Sequence, residues 1–198
     1  SNEKATPLVL VARNDKGYRN LCELLSYSYS EGQSMGVAGL TRNGIAEKSH
    51  GLIALSGGRE GDVGKALLAG NLEEAKRLAI RWQEIFPDAF YIELHRTGRG
   101  SEEDYNVLAV NLAIELGCPV VATNDVRFLA QEEFEAHEVR VCIHDSRTLD
   151  DPRRERRYSD QQYLKTAQEM IELFADIPEA LENSVEIAKR CNVSLDLG

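Results

Sequence analysis

Four short, largely apolar runs punctuate the chain: residues 8–12 (LVLVA), Leu52–Leu55 (LIAL), residues 90–94 (FYIEL) and Val120–Thr123 (VVAT). Runs of four or five are too short for helices. They are also too continuously apolar for strands with one wet face, so they read as strands of a sheet covered on both sides. Between them, apolar residues recur every three or four positions. Leu21, Leu24, Leu25 and Tyr29 follow a turn at Asn14, Asp15 and Gly17, and Leu78, Trp82 and Ile85 lie within residues 72–86. Leu108, Leu112 and Leu116 lie within Glu102–Leu116, which Gly117 and Pro119 stop. Strand followed by helix, repeated, predicts an α/β fold built on a buried parallel sheet. Further helices are expected over residues 41–49, 63–68 and 132–144, and a surface loop over the glycine-rich residues 32–39.

The rhythm changes after residue 130. Residues 145–159 form a charged loop containing R-R-E-R-R, and helices follow over residues 163–174 and 178–191. In the latter, Ile171, Phe174, Ile177, Leu181, Val185 and Ala188 recur at three or four residues across the break at Pro178, the pattern of two amphipathic helices packed on a core. The organisation expected is therefore an α/β unit over residues 1–144 and a charged loop with a helical extension over residues 145–198.

The candidate site is the end of the last strand, where P-V-V-A-T-N-D-V-R-F passes from apolar residues to Asn124, Asp125 and Arg127. Carboxyl ends of parallel strands are where barrel enzymes hold metals and substrates. A D-x-H pair there would offer a carboxylate and an imidazole. Asp125 and Arg127 instead offer a carboxylate and a permanently charged guanidinium that cannot ligate a metal. His95 follows Glu93 on a strand, so alternation sends both to one side; this is a candidate metal pair, although a lone pair is more often structural. His137 and His144, two helical turns apart, lack a carboxylate at metal spacing. The turn Ser56-Gly57-Gly58-Arg59-Glu60-Gly61 has the composition of a phosphate cradle without its Lys-Ser/Thr, and reads first as a tight strand-to-helix turn.

Composition narrows the function classes. A net charge of −10 argues against a generic surface that tracks nucleic-acid phosphates; the one concentration of positive charge in the sequence is Arg153, Arg154, Arg156 and Arg157. That cluster is read as a solvated loop, with contact to an acidic partner or a phosphate as the alternative. Cys22, Cys118, Cys142 and Cys191 form no C-x-x-C pair and no disulfide framework, which fits a reducing cytoplasm. No apolar run approaches the roughly 20 residues of a membrane span.

The strings GLIALSGGREGDVGKALLAGN, FYIELHRTGR, PVVATNDVRF, EAHEVRVCIHD and LFADIPEALENSVEIAKRCNV resemble the N-terminal PHP (polymerase and histidinol phosphatase) domain of bacterial DNA polymerase III alpha subunits, in order and over essentially the whole chain. The resemblance implies a distorted (β/α)7 barrel whose carboxyl rim can bind a cluster of metals. The family's H-x-H-S strand and its next, carboxylate-bearing strand have no counterpart here. The chain is therefore expected to begin after about the third strand, as an incomplete barrel followed by C-terminal helices. Metal-competent members carry histidine where this sequence has Arg127, another where it has Thr97, and a third near Pro7, while Asp125 matches a family carboxylate position. The remnant rim implied is Asp125, Arg127, Thr97, Asn124 and His95, with no catalytic residue, no metal ligand and no cofactor.

The resemblance also implies a parent that is a DNA-directed DNA polymerase, a nucleotidyltransferase. Its Mg2+ belongs to a separate polymerase domain and its DNA contacts to other domains. This segment would bind the proofreading exonuclease subunit within the polymerase III holoenzyme; the alternative is a metal-dependent phosphoesterase or 3'-5' exonuclease. An opened barrel edge at residues 8–12 further predicts self-association.

Overall fold

The computed structural model describes residues 5–34 and 37–195. The elements run β1 (Val9–Ala12), α1 (Asp15–Ser30), β2 (Gln33–Ser34), β3 (Val37–Ala38), α2 (Arg42–Glu47), β4 (Leu52–Leu55), α3 (Asp62–Leu68), α4 (Leu72–Ile85), β5 (Phe90–His95), α5 (Glu102–Leu116), β6 (Val120–Thr123), α6 (Phe134–His144), α7 (Ala167–Leu173) and α8 (Pro178–Arg190). Short 3-10 turns precede α3 and α6. The fold is mixed α/β, and all four expected strands form one sheet in the order β1-β4-β5-β6. Pairs β4-β5 and β5-β6 are parallel, as the βα rhythm requires. Strand β1 runs antiparallel to β4, against the expectation of an all-parallel sheet, because α1 and α2 together return the chain to the end at which β1 finished. Among the described residues no helix is long and apolar enough to cross a membrane.

Local chemistry sets the helix ends. Asn14 Oδ1 accepts the Gly17 amide at 2.9 Å and starts α1, and Asn71 Oδ1 does the same for α4 at Glu74. Thr166 and Glu169 form a reciprocal capping box on α7. That box corrects the expected helix over residues 163–174: α7 begins only at Ala167, and Tyr163 instead bridges Phe128. The glycine-rich residues 32–39 contain β2 and β3, a two-stranded antiparallel pair, where only a loop was expected.

The core gathers Ile53, Ile92, Leu94, Tyr105, Leu112, Trp82, Phe86 and Phe174 between the sheet and its helices. Three apolar periodicities hold in part: Leu24, Leu112 and Phe174 are buried as expected and Leu21, Leu116, Ile177 and Leu181 pack against the core, while other members face solvent. Helix α1 buries Gly17, Asn20, Leu24 and Ser28 and leaves Leu25 and Tyr29 in solvent. Helix α5 buries Tyr105, Ala109, Leu112 and Ala113, with Leu108 outside, and in the C-terminal helices Ile171 and Val185 are exposed while Ala180 and Ile187 are buried. Small residues take the contact faces where backbones approach closely, which a count of large apolar side chains misses.

Helix α8 joins the two outer strands at the amino end of the parallel ones. Asn183 Nδ2 donates to the Val120 carbonyl at 2.8 Å, satisfying an acceptor of β6, and Arg190 Nη1 donates to the Tyr91 hydroxyl at 2.7 Å. Beyond the helix, the Asn192 amide donates to the Arg13 carbonyl at 2.8 Å. The helices past residue 145 therefore share the core of the sheet.

Helix α1 is seated by glycine: an ideal Cβ on Gly17 would lie 1.8 Å from the Gly51 carbonyl oxygen. Helix propensity favours Gly→Ala by about 1 kcal/mol. At residue 17 the clash with backbone outweighs that gain, and Gly17→Ala is expected to destabilise the protein by about 1–3 kcal/mol in urea unfolding. A stabilised variant would show that α1 is free to shift outward.

Candidate functional site at the carboxyl rim

Parallel pairing of β4, β5 and β6 brings Ser56, the end of β5 with Thr97 just beyond it, and Thr123 to Arg127 to one end of the sheet, with His95 directly opposite Thr123. The innermost group is Glu93, 4% exposed. Its Oε1 accepts the Thr123 hydroxyl at 2.6 Å, its Oε2 accepts the Gly57 amide at 3.1 Å, and its own amide donates to Ser56 Oγ at 2.9 Å. His95 Nε2 lies 3.2 Å from Glu93 Oε1 but makes no aligned hydrogen bond. Burial raises the Glu93 pKa, and contacts to His95, Thr123 and Gly57 overcome that push, leaving the carboxyl below its ordinary value. Gly58, with φ +59°, packs over the imidazole so closely that a Cβ there would lie 2.6 Å from the ring.

The second group centres on Arg99. Glu102, at the start of α5, accepts the Thr97 amide and hydroxyl, both at 2.6 Å, and the Arg99 Nε at 3.1 Å. Burial again raises the carboxyl pKa, and the two Thr97 bonds and the Arg99 charge more than offset it, so Glu102 stays below the ordinary range. Arg99 Nη1 then reaches Asp125 Oδ2 at 2.9 Å, and Arg127 Nη2 meets Asp125 Oδ1 at 2.8 Å. Gln162 Nε2 donates to Asp125 Oδ2 and to the Asp125 carbonyl, at 3.0 and 3.1 Å. These bonds hold Asp125 in the left-handed region at φ +41°, a conformation that Asp tolerates better than most residues.

The chain's own segment Ser159 to Leu164 lies over this rim. Asn124 Nδ2 donates to the carbonyls of Gln161 and Tyr163 at 2.9 and 2.8 Å, and the Arg127 amide donates to the Gln162 carbonyl at 2.8 Å. The Ser159 hydroxyl donates to the Thr97 carbonyl, and Gln162 is fully buried. All five rim residues read from the sequence converge here, in two adjoining clusters: His95 with Glu93 and Thr123, and Thr97, Asp125 and Arg127 joined through Arg99, with Asn124 pinning the covering segment. Arg99, Glu102, Ser159 and Gln162 were missed. Arg99 and Glu102 stand three apart after a strand end, a readable ion-pair spacing, whereas nothing local marks Gln162.

This donor set does not fit a metal cluster. Among the described residues no three His, Cys, Asp or Glu side chains gather at metal-binding spacing, and Asp125 already serves two guanidiniums. Of the histidines of α6, His137 packs between Phe128 and Tyr158, with ring centroids at 5.4 and 4.7 Å, and His144 is exposed in the last turn. Of the basic cluster, Arg153, Arg154 and Arg157 are paired with Asp151, Glu138 and Asp145.

Because Glu93 and Glu102 titrate below the ordinary glutamate value of about 4.3, the stability they contribute is fully present above that pH and is lost as the pH falls through their lowered values. Urea unfolding from pH 7 to pH 3 should show this acid limb. Glu102→Gln should lower stability at pH 7 by about 1–3 kcal/mol and flatten the limb; an unchanged limb would place the acid sensitivity elsewhere.

A model described as the PHP domain matches residues 1–97. The chain is 57% identical over 191 residues to the DNA polymerase III subunit alpha of Pseudomonas aeruginosa, covering 96% of this chain and 16% of that protein. It is 53% identical over 196 residues to the subunit of the same name from Escherichia coli K12 and 52% identical to that of Vibrio cholerae, in both cases covering 99% of this chain and 17% of the relative. The chain thus spans about a sixth of the length of the curated relatives it matches.

Proposed function

The chain belongs to the PHP-domain family of bacterial DNA polymerase III alpha subunits, and on that premise we propose that it is a structural and partner-binding module of a replicative DNA polymerase, not itself a hydrolase. DNA-templated nucleotidyl transfer, with its Mg2+ and its DNA contacts, belongs in this reading to other domains of a longer cytoplasmic protein. Residues 145–198 lead toward the polymerase domain, and the module presents a docking surface to the proofreading exonuclease subunit of the holoenzyme.

The observation that carries the reading is Asp125. A carboxylate at the end of a barrel strand is where a metal-dependent hydrolase would place a ligand, yet Arg99 and Arg127 neutralise it and Gln162 covers it. A metal would have to displace both guanidiniums and the covering segment. Ion pairs and hydrogen bonds do the cross-linking that metals do in a loaded rim. The competing reading, a phosphoesterase or 3'-5' exonuclease that uses metal-activated water, would have to start from His95 and Glu93, a single imidazole and a single carboxylate.

Two measurements separate the readings. After dialysis against zinc or manganese, the protein should retain substoichiometric metal and release no phosphate from a model ester. Stoichiometric metal with metal-dependent hydrolysis would establish the hydrolase reading instead. Mixed with the proofreading exonuclease subunit, the dialysed protein should form a complex in sedimentation, and failure to do so would remove the partner-binding role.

A further inference from the structure

The chain between α6 and the segment that covers the rim is a strap with two anchors. From Pro152 to Tyr158 only Arg154 and Tyr158 are not exposed, and both land on consecutive residues of α6. Arg154 Nη1 donates to Glu138 Oε2, and the Tyr158 ring stands edge-on to the His137 imidazole, with centroids 4.7 Å apart. A third tie, from Arg157 to Asp145 just past α6, leaves its side chains 40% and 31% exposed and holds little. Three buried polar atoms at the two anchors lack a hydrogen-bond partner: His137 Nδ1, Glu138 Oε1 and Arg154 Nε. His137 Nδ1 lies 3.8 Å from Glu138 Oε1, beyond hydrogen-bond reach. Polar groups buried side by side without partners call for a reason.

We propose that His137 is a proton-sensitive clasp: neutral, it lets the strap dock on α6, and protonated, it releases residues 152–158 from that helix. The surroundings of the ring set the sign. Arg127 and Arg157 lie over the Tyr158 ring at 5.3 and 5.9 Å, and Arg140 follows on α6 itself. Among the described residues Glu138 is the carboxylate that faces the imidazole, and Arg154 already neutralises it; Cys142, one turn further along α6, lies beside Arg154. A proton on His137 adds a cation among these guanidiniums and competes with Arg154 for Glu138, so both anchors weaken together. Burial holds the His137 pKa below its ordinary value of 6.5; the Glu138 charge opposes this, and Arg127 and Arg140 add to it. A group whose pKa is depressed in the docked state takes up its proton more readily once released. Docking is therefore intact above pH 6.5 and weakens as the pH falls towards the lowered value, by up to about tenfold per pH unit. The strap runs on into Ser159 to Leu164, so proton uptake loosens the approach to the cover of the rim.

In the whole chain, the NMR titration of the His137 ring, assigned by its loss in His137→Gln, should have a midpoint below 6.5. Hydrogen exchange of the Arg153 and Arg154 amides, which bond to Asp151 within the strap, should lose up to about tenfold in protection over the one pH unit below 6.5, after correction for the intrinsic rate at each pH. This window lies above the acid range of Glu93 and Glu102. His137→Phe keeps a ring between Phe128 and Tyr158 with no proton to gain, and there the protection should stay level; His137→Gln serves as the comparison if circular dichroism shows the phenylalanine variant misfolded. A ring midpoint at or above 6.5, protection that stays level in the unaltered chain, or an equal fall in the variant would overturn the proposal.

Discussion

Carboxylates buried at the ends of parallel strands have to be paired, and the architecture of the rim follows from how this is done. Glu93 and Glu102 sit where dehydration disfavours charge, and Asp125 beside them is partly buried between two guanidiniums. Each keeps company with hydroxyls, amides or guanidiniums drawn from at least two elements. Glu93 ties β5 to β6 through Thr123 and to the β4 turn through Gly57. Arg99 then links Glu102, at the head of α5, to Asp125, after β6. Removing one member of such a network strands its partner, so the members are expected to act together.

The opposite end of the sheet is closed by different means. There, neutral hydrogen bonds from Asn183 and Asn192 and the bond from Arg190 to Tyr91 attach α8 and the segment after it across the amino ends of the parallel strands. The segment Ser159 to Leu164 covers the carboxyl end, so both ends of the strands carry chain from the C-terminal third. The carboxyl ends of the strands are thereby covered by the chain's own residues.

The four strands were legible because a run such as LIAL, buried at every position, has no other home in a fold of this size. The direction of β1 was not, since an apolar run reads the same both ways. The helix faces were read in part: α1 buries Leu24 as its periodicity requires, but turns Gly17 and Ser28 inward and Leu25 outward, which periodicity of large side chains cannot foresee. At the rim, the pairing of Asp125 with Arg127 follows from their separation of two residues. The part played by Gln162 depends on a contact between residues 37 apart and leaves no local trace. The family resemblance located the rim, and the geometry then added Arg99 and the covering segment to it.

The central claim is that Asp125 is held by its cationic neighbours as a structural group. A double-mutant cycle on Arg99→Met and Asp125→Asn, followed by urea unfolding at pH 7, tests it most directly. Coupling of about 1–3 kcal/mol is predicted for a pair within one partly buried network. Additive effects, with coupling inside about 0.5 kcal/mol, would mean that Asp125 and Arg99 do not depend on each other, and would contradict the account.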